Sequence, residues 1–168
     1  MNDTVFEKLK TAATVLKLDF SSEEFANLAE DRELTEAEIN AVQSVFTYLS
    51  EKKQRTTVQT LLRMSRLPTK APKTFETFDF SLLKGRDVER LKALPSLAAI
   101  YSHRNLACIG PAGTGKTHLA TALGVEACRK GYRTLYFKTS RLVNLLSEAK
   151  AANTEARFWK KLSQADLL

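Results

Sequence analysis

The chain carries Gly110-Pro111-Ala112-Gly113-Thr114-Gly115-Lys116-Thr117, which matches the pattern G-x-x-x-x-G-K-[ST] at every fixed position. Glycines let such a loop curl until successive backbone N–H groups point at a chain of phosphates, and the N-terminus of the following helix adds partial positive charge. In this pattern the lysine reaches the β and γ phosphates, and the next hydroxyl ligates Mg²⁺, a hard cation that prefers oxygen. The motif therefore predicts a site for a nucleoside triphosphate and Mg²⁺ in which Lys116 and Thr117 act on the phosphates and the metal.

The residues on either side of the loop have the secondary structure that the motif requires. A short apolar run at 105–109 is typical of a buried strand. After the loop, apolar residues recur at helical spacing from 117 to 130, and Gly131 is a stop signal. A second strand at 133–137 and a helix opened by Ser140 follow. This β-α-β-α order predicts an α/β fold with a parallel sheet.

The first part of the chain predicts helices only. Residues 4–17 and 22–29 are amphipathic, and Thr35-Glu36-Ala37-Glu38 is a capping box that opens a helix extending to about Leu67. Prolines then break the helical pattern. We therefore predict an all-α N-terminal domain over residues 1–67, a linker over 68–74 and a nucleotide-binding domain over 75–168.

Charge divides the chain into two parts. Residues 1–50 carry 4 basic and 10 acidic side chains, whereas the rest carries 22 basic and 9 acidic ones, including a basic run without an acid from Lys52 to Lys73. A basic surface binds DNA by releasing counterions from its phosphates, but a charge run is equally typical of a solvated helix face followed by a linker. Both interpretations of the run stay open, and DNA is a candidate partner through the basic faces.

The sequence also bears on membrane contact and on the roles of its cysteines, of His118 and of Trp159. No apolar run approaches the ~20 residues that span a bilayer, and no signal segment is present at the N-terminus, so we expect a cytoplasmic protein without membrane contact. Cys108 and Cys128 lack the spacing of a zinc site or a disulfide framework, and we expect both to be buried thiols. His118 adjoins the loop, where a histidine that is packed or that supports a neighbouring site residue is more common than a catalytic one. For Trp159 we prefer core packing or an apolar surface contact to the role of an interface anchor.

Three stretches together resemble the IstB/DnaC-like family of AAA+ ATPases, and within it the transposition-helper branch. They are Phe75-Glu76-Thr77-Phe78-Asp79-Phe80, the loop with His118-Leu119-Ala120, and residues 124–132. The resemblance implies a P-loop NTPase domain of AAA+ type. It also implies an adenine pocket bordered by the aromatic stretch. The implied nucleotide-binding set is Gly110, Pro111, Ala112, Gly113, Thr114, Gly115, Lys116, Thr117, His118, Phe78 and Phe80.

The same resemblance implies a function. Members of the helper branch are encoded beside a transposase in an insertion sequence, assemble on DNA as homo-oligomers with ATP and deliver the transposase to its target. The related loader branch handles a replicative helicase, which makes a helicase-loading adaptor the alternative. A small-molecule kinase would need an acceptor pocket and lid arginines downstream of the loop, which the sequence does not indicate. An inactive fragment is a further alternative.

Residues 163–168 bear on whether this chain can hydrolyse ATP. The sequence ends at 163–168, where members of the family begin the strand that leads to the acidic Walker B pair. Hydrolysis needs a carboxylate at the metal and an acid that orients the attacking water. We therefore expect this chain to bind ATP without hydrolysing it. We also expect an incomplete sheet in which the strand at 105–109 has unpaired edges.

Overall fold

The fold is known from a computed structural model that describes residues 3–19, 21–68, 73–85 and 87–168. These ranges contain α1 (Asp3–Leu16), α2 (Ser22–Asp31), α3 (Glu36–Ser65), α4 (Val88–Lys92), α5 (Ala98–Tyr101), α6 (Lys116–Arg129), α7 (Thr139–Ala151) and α8 (Glu155–Ser163). The chain forms two compact units, Met1–Thr57 and Val58–Leu168. They divide within α3, before the linker predicted at 68–74, of which residues 69–72 lie outside the described ranges.

The first unit contains α1, α2 and most of α3, so the helices predicted for this part are confirmed. Its core is formed by Leu9, Phe25, Ala29 and Ile39, which recur at the spacing that puts them on the inner faces of the helices. Capping boxes define the starts of α2 and α3. The Ser21 hydroxyl accepts a hydrogen bond from the Glu24 amide at 3.0 Å, and the Thr35 amide donates to the Glu38 carboxylate at 2.8 Å.

The second unit is built around α6. Residues Leu119, Thr121, Ala122, Leu123, Gly124, Ala127 and Cys128 of this helix are buried. Leu123 and Ala127 pack with Leu97, and Ser65, the last residue of α3, hydrogen-bonds with Cys128 on another part of the helix. A Cβ atom at Gly124 would lie 2.9 Å from Leu67 Cδ2, and the Tyr136 amide donates to the Ser65 carbonyl at 2.7 Å. The missing side chain at Gly124 therefore allows Leu67, just after the end of α3, to approach α6 closely.

The predicted parallel sheet is not confirmed. Within the described ranges the chain forms no strand, only an isolated parallel bridge between Thr134 and Leu167, in which the Leu135 amide donates to the Leu167 carbonyl at 2.9 Å. The run predicted as a strand at 105–109 is exposed and irregular, and Ile109 is 94% exposed. Strands are stabilised by hydrogen bonds to a neighbouring strand, and 105–109 has none in the part of the chain that the structure describes.

The helices predicted after the loop are confirmed with small changes at their ends. Helix α6 extends from Lys116 to Arg129, and Gly131 follows with φ +90°, the left-handed conformation that makes it a stop signal. Helix α7 begins at Thr139, before the predicted cap at Ser140, because Lys138 takes the N-cap position there. No helix in the described ranges is long and apolar enough to cross a membrane.

The prediction that both thiols are buried is wrong for Cys108. Cys108 lies in the exposed run, whereas Cys128 is fully buried on α6. Burial raises the pKa of the Cys128 thiol, and hydrogen bonding with Thr134 and Ser65 opposes this rise only in part. Since the thiolate is the reactive form, the two cysteines should differ sharply in reactivity.

We expect one thiol of the native protein to react rapidly with an aromatic disulfide reagent and the second to react only after denaturation. The Cys108→Ser variant should lose the rapid phase and keep the slow one. Absorbance of the released thiol at neutral pH measures both phases. A rapid phase that survives in Cys108→Ser would show that Cys128 is accessible, contrary to its burial against Ser65 and Thr134.

Candidate nucleotide-binding site

The loop at 110–117 owes its shape to two glycines. Gly113 has φ +80° and Gly115 has φ +85° with ψ +8°, both in the left-handed region. A residue with a Cβ atom is strained there, whereas glycine is not. The glycines of the motif are therefore required by the backbone path that turns the chain from the loop into α6.

The loop ends at the N-terminus of α6. Gly115 is the N-cap residue and accepts a hydrogen bond from the Leu119 amide at 2.9 Å, so the amides of the first helical residues lack an acceptor within the helix. No side chain of the described residues supplies a capping hydrogen bond at this position. These amides and the helix dipole favour an anion at this end of α6.

Lys116 lies across the loop. Its ammonium group donates a hydrogen bond to the Pro111 carbonyl and lies 3.4 Å from the Thr114 hydroxyl, which itself donates to the Pro111 carbonyl at 3.0 Å. Thr117 is exposed at the start of α6. The loop thus holds a cation and presents a hydroxyl beside a helix N-terminus, a set of groups that fits a phosphate chain and its Mg²⁺ ion.

An aromatic ring lies against the last glycine of the loop. A Cβ atom at Gly115 would be 2.6 Å from Phe78 Cε2, so the ring is in close contact with this position. Phe80 meets Phe78 edge to face, with 4.9 Å between the ring centroids, and stacks on Phe75 at 6.4 Å. The structure therefore brings Phe78 to the loop and places Phe80 behind it. Their contact with adenine stays a prediction.

His118 contacts the aromatic segment instead of the loop. Its Nε2 atom lies 2.9 Å from the Thr74 carbonyl and 3.3 Å from the Thr77 hydroxyl, and its ring meets Phe78 edge to face at 5.1 Å. Because a carbonyl only accepts hydrogen bonds, Nε2 carries the proton and donates it. The interpretation of His118 as a packed residue agrees with these contacts.

Sequence analysis missed the residues that hold this segment in place. The Thr74 amide donates to the Thr77 hydroxyl at 3.1 Å, and the same hydroxyl donates back to the Thr74 carbonyl at 3.1 Å. Asp79 accepts a hydrogen bond from the Ser81 amide at 2.9 Å and caps the turn that contains Phe80. Threonines at i and i+3, and Asp two residues before Ser, are local signals of such turns.

A second contact joins the aromatic segment to α6. Arg129 lies 2.8 Å from Glu76 and 3.5 Å from Glu126. Hydrogen bonds from the Thr74 side chain, the backbone and Arg129 lower the pKa of Glu76 from 4.5 to about 2. Because the folded-state pKa is lowered, the contribution of Glu76 to stability is present above pH 4.5 and is lost as the pH falls towards 2.

Three members of the basic run have partners within the chain. The Lys53 ammonium donates to the Leu16 carbonyl at 2.7 Å, Arg55 pairs with Glu51 at 3.2 Å, and the Arg66 guanidinium lies 5.4 Å from the centroid of the Phe137 ring. These contacts favour a structural role for the three residues. The exposed basic residues Lys52, Arg63, Arg157, Lys160 and Lys161 keep the hypothesis of DNA contact open, and Lys70 lies outside the described ranges.

The loop, its lysine and the start of α6 have the geometry expected of a phosphate-binding loop. The model of the family described as IstB-like ATP binding protein matches residues 8–168. The chain therefore belongs to this ATP-binding family, and the resemblance seen in the sequence is confirmed.

Relatives carry names that refer to insertion sequences. A protein of Geobacillus stearothermophilus named for IS5376 and ATP binding is 40% identical over 110 residues, which are 66% of this chain and 42% of that protein. One of Pseudomonas aeruginosa, named for IS21 and ATP binding, is 40% identical over 111 residues, 66% of this chain and 41% of that protein. An IS21-like protein of Bacteroides fragilis strain YCH46, also named for ATP binding, is 28% identical over 165 residues, 96% of this chain and 81% of that protein. The chain thus matches about two fifths of the length of the first two relatives.

Proposed function

We propose that this chain binds Mg-ATP through residues 110–117 and acts as a helper of DNA transposition. One observation carries the nucleotide part: a cation, Lys116, lies across a glycine loop at a helix N-terminus that no side chain of the described residues caps. The names of the relatives, which join insertion sequences to ATP binding, support the transposition part.

In this proposal each group of the loop has a distinct task. The backbone of Gly110–Gly115 and the first amides of α6 surround the phosphates, and Lys116 exchanges its carbonyl partner for the β and γ phosphate oxygens. The Thr117 hydroxyl ligates Mg²⁺, with phosphate oxygens and water as the other ligands. The described residues contain no group of three or more His, Cys, Asp or Glu side chains that could hold a metal. Mg²⁺ would therefore enter together with the nucleotide.

The partners are proposed from the family and the charge pattern. We propose a transposase as the protein partner, DNA as a ligand of the exposed basic residues, assembly into a homo-oligomer and action in the cytoplasm, where these partners meet. The geometry of the loop supports binding of ATP. The expected lack of hydrolysis stays a prediction, as do the activity and partners of the whole protein.

DNA binding gives the direct test of this role. We expect the chain to bind double-stranded DNA more tightly with Mg-ATP than without it, and to lose affinity steeply as salt rises, because Lys and Arg side chains displace counterions. Fluorescence anisotropy of a labelled duplex over a salt series measures this. Reversing the charges of Lys160 and Lys161 to Glu should weaken binding, whereas Arg55→Gln, at a residue paired with Glu51, should weaken it much less.

Capture of partners distinguishes the helper from its alternative. With the tagged chain and Mg-ATP, we expect retention of the transposase encoded in the same insertion sequence. Retention of a replicative helicase in its place would favour a loading adaptor.

In the anisotropy experiment, DNA affinity that does not change with Mg-ATP would contradict the proposed coupling between the loop and DNA.

A further inference from the structure

We propose that His118 is a positioning residue: it holds Phe78 against the loop and thereby lets the site distinguish a nucleotide with its base from a bare polyphosphate. The inference rests on the proposed binding of ATP at residues 110–117 and adds to it a role that the loop motif does not assign. Four residues carry it, namely His118, Thr74, Thr77 and Phe78, which we term the histidine clamp.

The clamp joins two segments that are distant in sequence. His118 is the third residue of α6, whereas its partner Thr74 directly precedes the aromatic stretch and its partner Thr77 lies within it. The hydrogen bond from Nε2 to the Thr74 carbonyl is 2.9 Å long, and Thr74 is buried. The Thr74 carbonyl also accepts a hydrogen bond from the Thr77 hydroxyl at 3.1 Å, so His118 and Thr77 meet at the same acceptor. The clamp therefore fixes the turn at 74–77 to the start of α6.

The turn at 74–77 fixes the position of Phe78. This residue follows Thr77 directly, its ring meets the His118 imidazole at 5.1 Å, and its Cε2 atom contacts Gly115. The Phe78 ring is thus the apolar surface that lies against the phosphate loop. A purine base is a flat aromatic group that prefers such a surface to water. Phe78 therefore lies where it can contact the part of a nucleotide that follows the phosphates.

His118 itself is directed away from the phosphate groups. Successive side chains on an α-helix are about 100° apart, so Lys116 and His118 leave α6 in different directions. Lys116 is directed to Pro111 within the loop, whereas the polar tip of His118 is engaged by Thr74 and Thr77. The histidine therefore acts on the base through Phe78 and has no contact of its own with the phosphates.

Two ligands separate these roles. For His118→Leu we expect Mg-ATP to bind about tenfold more weakly, since one partly buried hydrogen bond and one aromatic contact that position Phe78 are lost. Inorganic tripolyphosphate with Mg²⁺, which has no base, should bind within about twofold of the unmodified chain because the loop and Lys116 are unchanged. Isothermal titration calorimetry on the full chain measures both dissociation constants.

A conservative variant and a control make the result specific. His118→Gln should recover most of the ATP affinity, because the glutamine amide can donate to the Thr74 carbonyl from a position near that of Nε2. His103→Leu changes the other histidine, which is exposed, and should leave both ligands unaffected. Phe78→Leu should show the same selective loss for ATP, and the double variant with His118→Leu should lose little more than either alone.

The outcomes are distinguishable from a failure of the proposed function. Equal weakening of ATP and tripolyphosphate in His118→Leu would overturn the positioning role and indicate a direct effect on the loop. If the unmodified chain binds neither ligand, the nucleotide site itself is wrong and the clamp inference fails with it. If His118→Leu does not fold, as judged by its thermal transition, the ATP affinity of Phe78→Leu provides the test in its place. Unchanged ATP affinity in Phe78→Leu would overturn the inference.

Discussion

Replacement of Lys116 by alanine is expected to abolish the stabilisation of this protein by Mg-ATP. A hydrogen bond between charged groups contributes about 1.5–3 kcal/mol, so loss of the ammonium should weaken ATP roughly 10- to 150-fold. The rise in melting temperature depends on the ratio of ligand concentration to the dissociation constant. At an Mg-ATP concentration a few times the dissociation constant of the unmodified chain, the rise should therefore disappear in Lys116→Ala. Differential scanning fluorimetry with and without Mg-ATP measures it.

Lys138→Ala is the matched control for this variant. Lys138 is an exposed residue of the same unit and makes no side-chain capping contact at the start of α7, so its loss should leave the ATP response unchanged. Thr117→Ala should show a different defect, in which the advantage of Mg-ATP over ATP in a chelating buffer is reduced. An undiminished response to Mg-ATP in Lys116→Ala would place the nucleotide elsewhere.

Replacement of Gly115 by alanine should have the largest effect on the folded loop itself. The left-handed conformation costs an alanine about 1–2 kcal/mol, and a Cβ atom at 2.6 Å from Phe78 Cε2 adds an overlap of about 1–3 kcal/mol. We expect the free energy of unfolding of the chain without nucleotide to fall by the sum of these costs. Urea denaturation followed by circular dichroism measures the loss.

Gly113→Ala separates the two causes. Gly113 has nearly the same φ, but a Cβ atom there meets no atom within 4 Å, so only the backbone cost should be seen. The difference between the two variants then reports the contact with Phe78. In a double-mutant cycle, Phe78→Ala should remove most of the extra cost of Gly115→Ala. Equal losses in the two glycine variants would mean that Phe78 does not lie against the loop.

The sequence could predict those parts of the fold that depend on local signals. Capping boxes, apolar periodicity and glycine stops lie within a few residues of the helix ends they define, and α2, α3 and α6 follow them. A strand depends on a neighbour that is distant in sequence. The run at 105–109 has the composition of a strand, but its identity depends on pairing that composition does not specify. The error for Cys108 follows from the same cause.

The candidate site likewise has a part that the sequence predicts and a part that it does not. The loop was predictable because its eight residues are contiguous, and its left-handed glycines follow from the motif. The contacts of His118 were not predictable, since they join residues 41 and 44 positions apart through a turn that carries no helical or strand pattern. The basic run shows a further limit. Its charges are visible in the sequence, but Lys53 and Arg66 are directed to a helix end and an aromatic ring that only the folded chain brings near.

The contacts that Ser65 and Leu67 make at the end of α3 and just after it matter for the production of the second unit alone. A gene fragment cut at residue 75, where the sequence suggests that the second domain begins, would omit Ser65 and Leu67 and leave Gly124 and the Tyr136 amide facing solvent. A fragment that starts at Val58 keeps this cover, because the whole contact lies within the second compact unit. The final turns of α3 are thus better treated as the first element of the second unit than as the last element of the first unit.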